Sequence, residues 1–161
     1  MTIVLDDQAT GSDSCYSCKQ EASLATLPIR ERILVGAGWR AAHAIRCALP
    51  GWLVLVARRH ITTIADLDAA AAAELGVLCR TLSLALTDVT GCAKTYVAAF
   101  SEAPGFDHLH VHVIPRAHDV PVEERGPSIF RYLREPSAAW VPEAAMNDLA
   151  RALAARITTT A

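Results

Sequence analysis

Several features are absent from this sequence of 161 residues or scarce in it. No uninterrupted apolar run reaches the roughly 20 residues that span a bilayer, so we expect no membrane segment. The first ten residues include Asp6 and Asp7 and lack the basic and apolar regions of a signal peptide. The net charge is only −2, which gives no general attraction to nucleic acid or to anionic lipid. We therefore expect a cytoplasmic protein without a nucleic-acid or membrane partner.

The five cysteines do not indicate a disulfide framework, because their number is odd and their spacing is irregular. Cys15 and Cys18 form a Cys-x-x-Cys motif. We expect Cys47, Cys79 and Cys92 to be small core residues. Unpaired thiols also favour a cytoplasmic location.

Length and composition are those of one globular domain. Hydrophobic residues make up 52% of the chain and charged residues 20%, which is enough apolar material for a core. We predict a flexible N-terminus at 1–14 and a main domain at 15–116. An extension at 117–161 is expected to pack on the same domain and to be helical at 142–157.

Residue patterns predict five strands, a short helix after Cys18 and one long helix. The strands are expected at 32–35, 39–46, 52–57, 94–100 and 108–114. The long helix begins at Asp66 or Asp68 and ends at Gly91. Its core face is expected to consist of Leu75, Leu78, Leu82, Leu86 and Val89.

Three of the six histidines fall within five residues, at positions 108, 110 and 112. Successive side chains of a strand point to opposite faces. The apolar residues between the histidines should therefore enter the core, while the three imidazoles share one open face. An imidazole can be a nucleophile, an acid, a base or a metal ligand near neutral pH.

The sequence His-Leu-His-Val-His-Val-Ile at 108–114 resembles the hallmark of the histidine-triad (HIT) superfamily, in which histidines alternate with apolar residues. The glycine-led stretch at 51–60, which ends in two arginines and a histidine, and the Cys-x-x-Cys at 15–18 are similar to zinc-bearing members. That branch includes diadenosine polyphosphate hydrolases and nucleoside phosphoramidases. The resemblance implies a single-domain α+β fold, with an antiparallel sheet of about five strands, one long helix and a short N-terminal helix.

The Cys-x-x-Cys motif can bring two thiolates to one ion, and zinc needs four nitrogen or sulfur ligands. Alone, the motif fits two reduced thiols equally well. The resemblance implies that His60 and His108 join Cys15 and Cys18. Such a closed Cys2His2 site would hold a structural Zn2+.

The resemblance also implies that His110 is a nucleophile, which attacks the α-phosphorus of a nucleoside 5′-phosphoryl compound and forms a nucleotidyl-histidine intermediate. His112 would contact the phosphate or the leaving group, although it also fits a solvated strand residue. Arg116 could bind a phosphate or form a surface ion pair. We place His43 and His118 at surface or packing positions. Mg2+ could arrive with a polyphosphate substrate.

The loop before the first triad histidine departs from the family's usual Ala-Gly-Gln. It reads Glu-Ala-Pro-Gly-Phe-Asp at 102–107 and offers no glutamine. Gly105 could still bring its N–H close to a phosphate. We assign Ser101 and Gly105 to substrate binding.

A second departure concerns nucleoside recognition. Ala44 stands where many members hold the ribose hydroxyls with an aspartate. Trp39 and Trp52 could stack on a base, or they could pack in the core.

Three functions remain open at this point. The first is a hydrolase or nucleotidyltransferase acting on dinucleoside polyphosphates or nucleoside phosphoramidates. The second is a non-catalytic nucleotide-binding or interaction module stabilised by zinc. The third is metal handling by the histidine trio. The family resemblance further implies a homodimer, and the apolar strand at 94–100 could contribute to its interface.

Overall fold

The computed structural model describes residues 14–160, so most of the predicted flexible N-terminus (1–14) lies outside the described residues. The helices are α1 (Tyr16–Ala22), α2 (Ala69–Thr90) and α3 (Glu143–Thr160). The strands are β1 (Leu34–Val35), β2 (Trp39–His43), β3 (Leu53–Ala57), β4 (Lys94–Ala98) and β5 (His110–Arg116). Short 3-10 helices lie at Leu24–Thr26, Ile29–Glu31, Ile64–Asp66, Val122–Glu124, Gly126–Leu133 and Ser137–Ala139.

The five strands form one antiparallel sheet in the order β1-β2-β3-β5-β4. This confirms the predicted α+β fold. The order places β5, which carries His110 and His112, between β3 and β4 in the sheet.

Strand register divides the sheet into a core face and an opposite face. Leu55 of β3 lies opposite Val111 of β5, and both side chains enter the main core. The next residues of the two strands, Val56 and His110, form a pair that points the other way. Val54 and His112 form a second pair on that same face. The strict period of two thus puts apolar residues against the helices and imidazoles on the opposite face.

Helix α2 follows its sequence signals closely. The Asp68 side chain accepts a hydrogen bond from Ala71 N, and Gly91 ends the helix in a left-handed conformation with φ 66°. Leu78, Leu82 and Leu86 are buried against the sheet, as predicted. Leu75 and Val89 are partly buried against the same core, which is also as predicted. By length and composition alone, the 22-residue helix could cross a membrane, which the sequence prediction did not anticipate.

Two segments after β5 complete the packing. Helix α3 packs on α2, and its Ala150 and Leu153 belong to the main core. The segment Gly126–Leu133 covers the opposite face through Ile129, which lies in a second buried cluster. The division of the chain at residues 116 and 117 remains a proposal.

The first four strands are shorter in the structure than predicted, whereas β5 has the predicted seven residues but lies two positions later in the chain. Strand β1 has only two residues, and β5 begins at His110 rather than at His108. His108 N–H donates to Phe106 O (2.8 Å), while Leu109 N–H donates to Ile61 O (2.6 Å). These loop hydrogen bonds replace a regular strand ladder at His108.

Candidate functional site

The structure brings the four predicted metal ligands together. Cys15 and Cys18 lie at the start of α1, His60 follows β3, and His108 precedes β5. Their ligand atoms all lie within 4.8 Å of one another. The distances are 3.4 Å from Cys15 Sγ to His108 Nδ1, 3.2 Å from Cys18 Sγ to His60 Nδ1, and 3.3 Å between the two Nδ1 atoms.

The chemistry of this cluster fits zinc. A tetrahedron with the usual Zn–S and Zn–N bond lengths has edges of about 3.3–3.8 Å, close to the separations found here. Burial and the neighbouring Cys15 raise the pKa of the Cys18 thiol to about 11. A bound cation is therefore needed to hold the Cys18 thiol as a thiolate at neutral pH. Within residues 14–160, this is the only group of three or more such side chains that could hold a metal ion.

Hydrogen bonds and ion pairs position this cluster. His108 Nε2 donates to Ala57 O (2.6 Å), which leaves Nδ1 as the ligand atom. Glu21 of α1 contacts Arg58 (2.6 Å) and the buried Arg40 (3.6 Å). These contacts attach the helix that follows the cysteines to the sheet.

A cleft of about 290 Å³ lies on the imidazole-bearing face of the sheet. His110 and His112 line it from β5. The other lining residues are mainly apolar and come from several elements: Ala42, Ala44, Ile45, Val54, Val56, Ala103, Phe106 and Leu133. Tyr16 and Ser17, between the two cysteines, form part of the wall. The cleft and the metal cluster therefore share the N-terminal segment.

His110 is held with one ring nitrogen engaged. Its Nδ1 lies 2.8 Å from His108 O, and a carbonyl oxygen only accepts, so Nδ1 carries a proton and donates. In the neutral ring, Nε2 then keeps its lone pair. The Ser101 hydroxyl accepts from His110 N–H at 3.1 Å. His110 thus has the tautomer that nucleophilic attack requires.

His112 differs from His110 in its partner and its burial. Trp52 Nε1–H donates to His112 Nδ1 at 2.9 Å. The rings of Trp52 and Phe130 both pack edge-on against His112. Burial and the nearby His110 lower the pKa of His112 to about 4, so the ring is neutral at pH 7.

The prediction that all three imidazoles share an open face is wrong in part, since His108 and His112 are only 1% and 8% exposed. His110 alone is partly exposed. This face of the sheet is covered by the loop 101–107, the 3-10 helix Gly126–Leu133 and the start of α1. The sequence pattern gave no sign of that cover.

A charged group lies at the edge of the cleft. The buried Arg40 contacts the carboxylate of Glu31 (3.4 Å) and donates to the Glu31 carbonyl oxygen. The Tyr16 hydroxyl donates to Glu31 Oε1 at 3.2 Å. Burial and this carboxylate raise the pKa of Tyr16 to about 12, so Tyr16 remains a neutral donor.

The other predicted phosphate or substrate contacts are held by hydrogen bonds within the protein. Ser101 is buried and its hydroxyl contacts the His110 backbone. Gly105 has φ 80°, and its carbonyl accepts from Tyr16 N–H at 3.1 Å. Arg116 donates to the neighbouring Ala117 carbonyl at 3.1 Å.

Two histidines outside the triad lie in different surroundings. His43 is buried, donates from Nδ1 to Ala44 O (2.8 Å) and accepts at Nε2 from Gly51 N–H (3.0 Å). Burial lowers its pKa, so it is a neutral packing residue. His118 is exposed.

Sequence reasoning missed several residues around His112. Trp52 is fully buried as core packing would require, but its role as a hydrogen-bond donor to His112 was not foreseen. Phe130 and Leu133 come from the extension, which carried no motif. Side chains alternate between the two faces along a strand, so Trp52, directly before β3, should share a face with Val54. This alternation could have placed the indole on the imidazole face.

The family model and the similar solved structures all point to the same family. The family model of the HIT domain matches residues 37–119. No curated protein matches the chain. A zinc-bound histidine triad family protein from Mycobacterium smegmatis is similar in structure, with TM-score 0.67, 17% identity, and coverage of 93% of this chain and 97% of that chain. A hypothetical histidine triad nucleotide-binding protein from Sulfolobus tokodaii gives TM-score 0.67, 15% identity and coverage of 90% and 93%.

A histidine triad protein from Bradyrhizobium japonicum is 26% identical, with TM-score 0.64 and coverage of 78% of this chain and 89% of that chain. With the family match over half of the sequence, and with two triad histidines on β5 and the first directly before it, this chain belongs to the HIT family.

Proposed function

We propose that this protein is a zinc-stabilised nucleotide hydrolase or nucleotidyltransferase that acts through His110. The observation that carries the proposal is the hydrogen bond from His110 Nδ1–H to His108 O. It leaves the Nε2 lone pair available at the side of the cleft. Membership of a family that includes hydrolases and transferases supports the same general chemistry.

The proposed reaction has two steps at one phosphorus atom. His110 Nε2 attacks the α-phosphorus, a bond from phosphorus to nitrogen forms, and the bond to the leaving group breaks. The leaving group keeps the electron pair and takes a proton from solvent, while the neutral His112 donates an Nε2–H hydrogen bond to a phosphate or leaving-group oxygen. Water then attacks phosphorus and gives its proton to solvent, the bond to His110 breaks, and the nucleoside monophosphate is released.

We assign the metal a structural role. Cys15, Cys18, His60 and His108 would hold Zn2+ with no position left for a substrate. Zinc would supply the charge that keeps the two thiols deprotonated and fixes the segment beside the cleft. The zinc-bound relative from Mycobacterium smegmatis supports this assignment. Magnesium would then reach the site as a companion of a polyphosphate substrate.

The candidate substrates are dinucleoside polyphosphates, such as diadenosine tetraphosphate, and nucleoside phosphoramidates. The mainly apolar wall of the cleft suits a base, and the nucleotide-binding relative from Sulfolobus tokodaii supports this class. Gly105 and Ser101 remain candidate contacts. A homodimer and a cytoplasmic location remain predictions.

A second candidate is a non-catalytic nucleotide-binding module. The observation that favours it is the loop at 102–107, which brings no side-chain amide to the cleft, while the nearby Ser101 hydroxyl is engaged by the His110 backbone. Metal handling by the whole trio has no such support, because His108 belongs to the separate Cys2His2 cluster.

The deciding experiment measures release of nucleoside monophosphate from a mixed panel of dinucleoside polyphosphates and phosphoramidates. Wild type is compared with His110→Asn and with His118→Asn, which alters an exposed histidine outside the cleft. We expect release by wild type and His118→Asn, and a loss of about 10³-fold or more in His110→Asn. Turnover by His110→Asn at the wild-type rate would exclude the proposed nucleophile. Nucleotide binding without release by the wild type would favour the second candidate.

A further inference from the structure

The hydrogen bond between Trp52 and His112 fixes more than the position of a ring. The indole Nε1–H can only donate, so His112 Nδ1 must accept and cannot carry a proton while the bond is made. The single proton of the neutral imidazole then resides on Nε2. Among the described residues, no group is hydrogen-bonded to this Nε2.

The indole itself is held by surrounding structure. Trp52 is completely buried, its carbonyl accepts from Ala44 N–H (2.8 Å), and its ring packs edge-on against Phe130 (5.2 Å). The preceding residue, Gly51, donates its N–H to the buried His43. Two hydrogen bonds across the turn between β2 and β3 therefore hold the backbone from which the indole projects, and packing against Phe130 restricts the ring itself.

The surroundings of His112 contain few competing polar groups. The titratable group in ring contact with it is His110, at 5.0 Å between centroids. Phe130 and Trp52 cover the other sides of the ring. The direction of the proton is therefore decided by the indole rather than by a carboxylate.

We infer that Trp52 is a positioning residue that holds His112 in the Nε2–H tautomer, so that His112 presents a hydrogen-bond donor, and not an acceptor, to the cleft. The ligand group beside His112 must then be an acceptor, such as a phosphate or leaving-group oxygen. The tautomer itself does not depend on the proposed function, whereas the substrate requirement rests on it.

The tautomer is tested by NMR on the metal-loaded full chain labelled with ¹⁵N-histidine, using long-range ¹H–¹⁵N correlations at neutral pH. We expect the wild-type His112 ring to be neutral, with its proton on Nε2 alone. In Trp52→Phe, Nδ1 loses its donor, so its ¹⁵N resonance should move and a second tautomer should become detectable. Trp39→Phe is the matched control, since Trp39 is equally buried but donates to Ala71 O (2.9 Å) and not to a triad histidine.

A donor-free analogue keeps the test valid if Trp52→Phe fails to fold. Benzothienylalanine at position 52 retains the outline of indole but replaces the N–H by sulfur. A wild-type proton on His112 Nδ1, or unchanged His112 resonances in the donor-free protein, would overturn the inference.

Kinetics supply the second readout, in any substrate of the panel that turns over. We expect kcat to fall about tenfold in the donor-free protein, with KM little changed, because His112 then presents its Nε2–H donor only part of the time, and one preorganised donor contributes about 10²–10³ to kcat. The Trp39→Phe control should retain the wild-type kcat. If no nucleotide turns over, the proposed function fails, while the NMR result still decides the tautomer.

Discussion

The metal cluster and the cleft both take histidines from one short stretch, but the histidines differ in their hydrogen bonds. His108 donates from Nε2 to Ala57 O and turns Nδ1 to the cysteines. His110 donates from Nδ1 to the carbonyl of His108, and His112 instead accepts at Nδ1 from Trp52. The partner of one ring nitrogen decides what the other nitrogen can do. Three histidines two residues apart thus offer different ring nitrogens: Nδ1 of His108 faces the cysteines, Nε2 of His110 keeps its lone pair, and Nε2 of His112 carries a proton.

The two regions differ in chemistry but share a wall. Tyr16 lies between the two cysteines and lines the cleft, and its backbone N–H bonds to Gly105 of the loop before β5. The Tyr16 ring also packs against Phe106, at 5.3 Å between centroids. Changes in the metal cluster should therefore affect substrate binding, while changes in the cleft should leave the metal in place.

The largest expected effect is that of removing a metal ligand. Cys15→Ser should release the metal and lower the free energy of unfolding by about 3–5 kcal/mol, less than in zinc fingers because a large core remains. For a chain of this size, such a loss corresponds to a Tm lower by about 10 °C. Atomic absorption measures the metal content, and calorimetry measures the Tm.

Cys79→Ser is the control for that prediction. Cys79 is half-buried on α2, outside the cluster, and should retain the metal. Equal metal content in the two variants would contradict the Cys2His2 assignment.

Acid should destabilise the fold through the cleft as well as through the metal cluster. Burial lowers the pKa of His112 to about 4, whereas an unfolded chain protonates histidine near pH 6.5. Between these values the unfolded state binds more protons, so the free energy of unfolding falls as the pH falls. Below pH 4, the free energy of unfolding lost through His112 reaches about 3 kcal/mol.

Urea denaturation at several pH values between 7 and 4 measures this effect. The metal ligands also protonate in acid, so the informative quantity is the difference between wild type and His112→Gln. The variant should lose less stability on acidification. Parallel curves for the two proteins would show that His112 is not held neutral in the folded state.

A smaller effect is expected from removing the hydrogen bond that supports the backbone of His110, the proposed nucleophile. Ser101→Ala removes the acceptor of His110 N–H and should lower the free energy of unfolding by about 1–2 kcal/mol, because a buried donor loses its partner. Metal content should stay unchanged and kcat should fall. Ser137→Ala, at an exposed position far from the cleft, should change neither. A wild-type kcat in Ser101→Ala would show that this hydrogen bond does not position His110.

The smallest effect is expected from a substitution of Tyr16, in the wall that the cleft shares with the metal cluster. Tyr16→Phe removes the hydroxyl bond to Glu31, which should cost about 1 kcal/mol of stability. We expect a higher KM with kcat and metal content unchanged, measured on the substrate found in the panel. A fall in kcat with KM unchanged would place Tyr16 in the chemistry instead.

Much of the fold was predictable because its signals are local. Asp68 and Gly91 mark the ends of α2, and the leucines between them repeat with the helical period. The apolar residues that alternate with the triad histidines enter the core as the strand period requires. The family resemblance then correctly brought the four distant cluster residues together.

The start of β5, the burial of His108 and His112, and the role of Trp52 were not predictable in this way. Each depends on a partner far along the chain: Ala57 for one ring, and Trp52 and Phe130 for the other. The sequence by itself determined the elements, the faces of the strands and the triad. Only the tertiary structure decided which nitrogen of each imidazole is engaged, because hydrogen-bond direction depends on atoms that folding brings together and that no local period records.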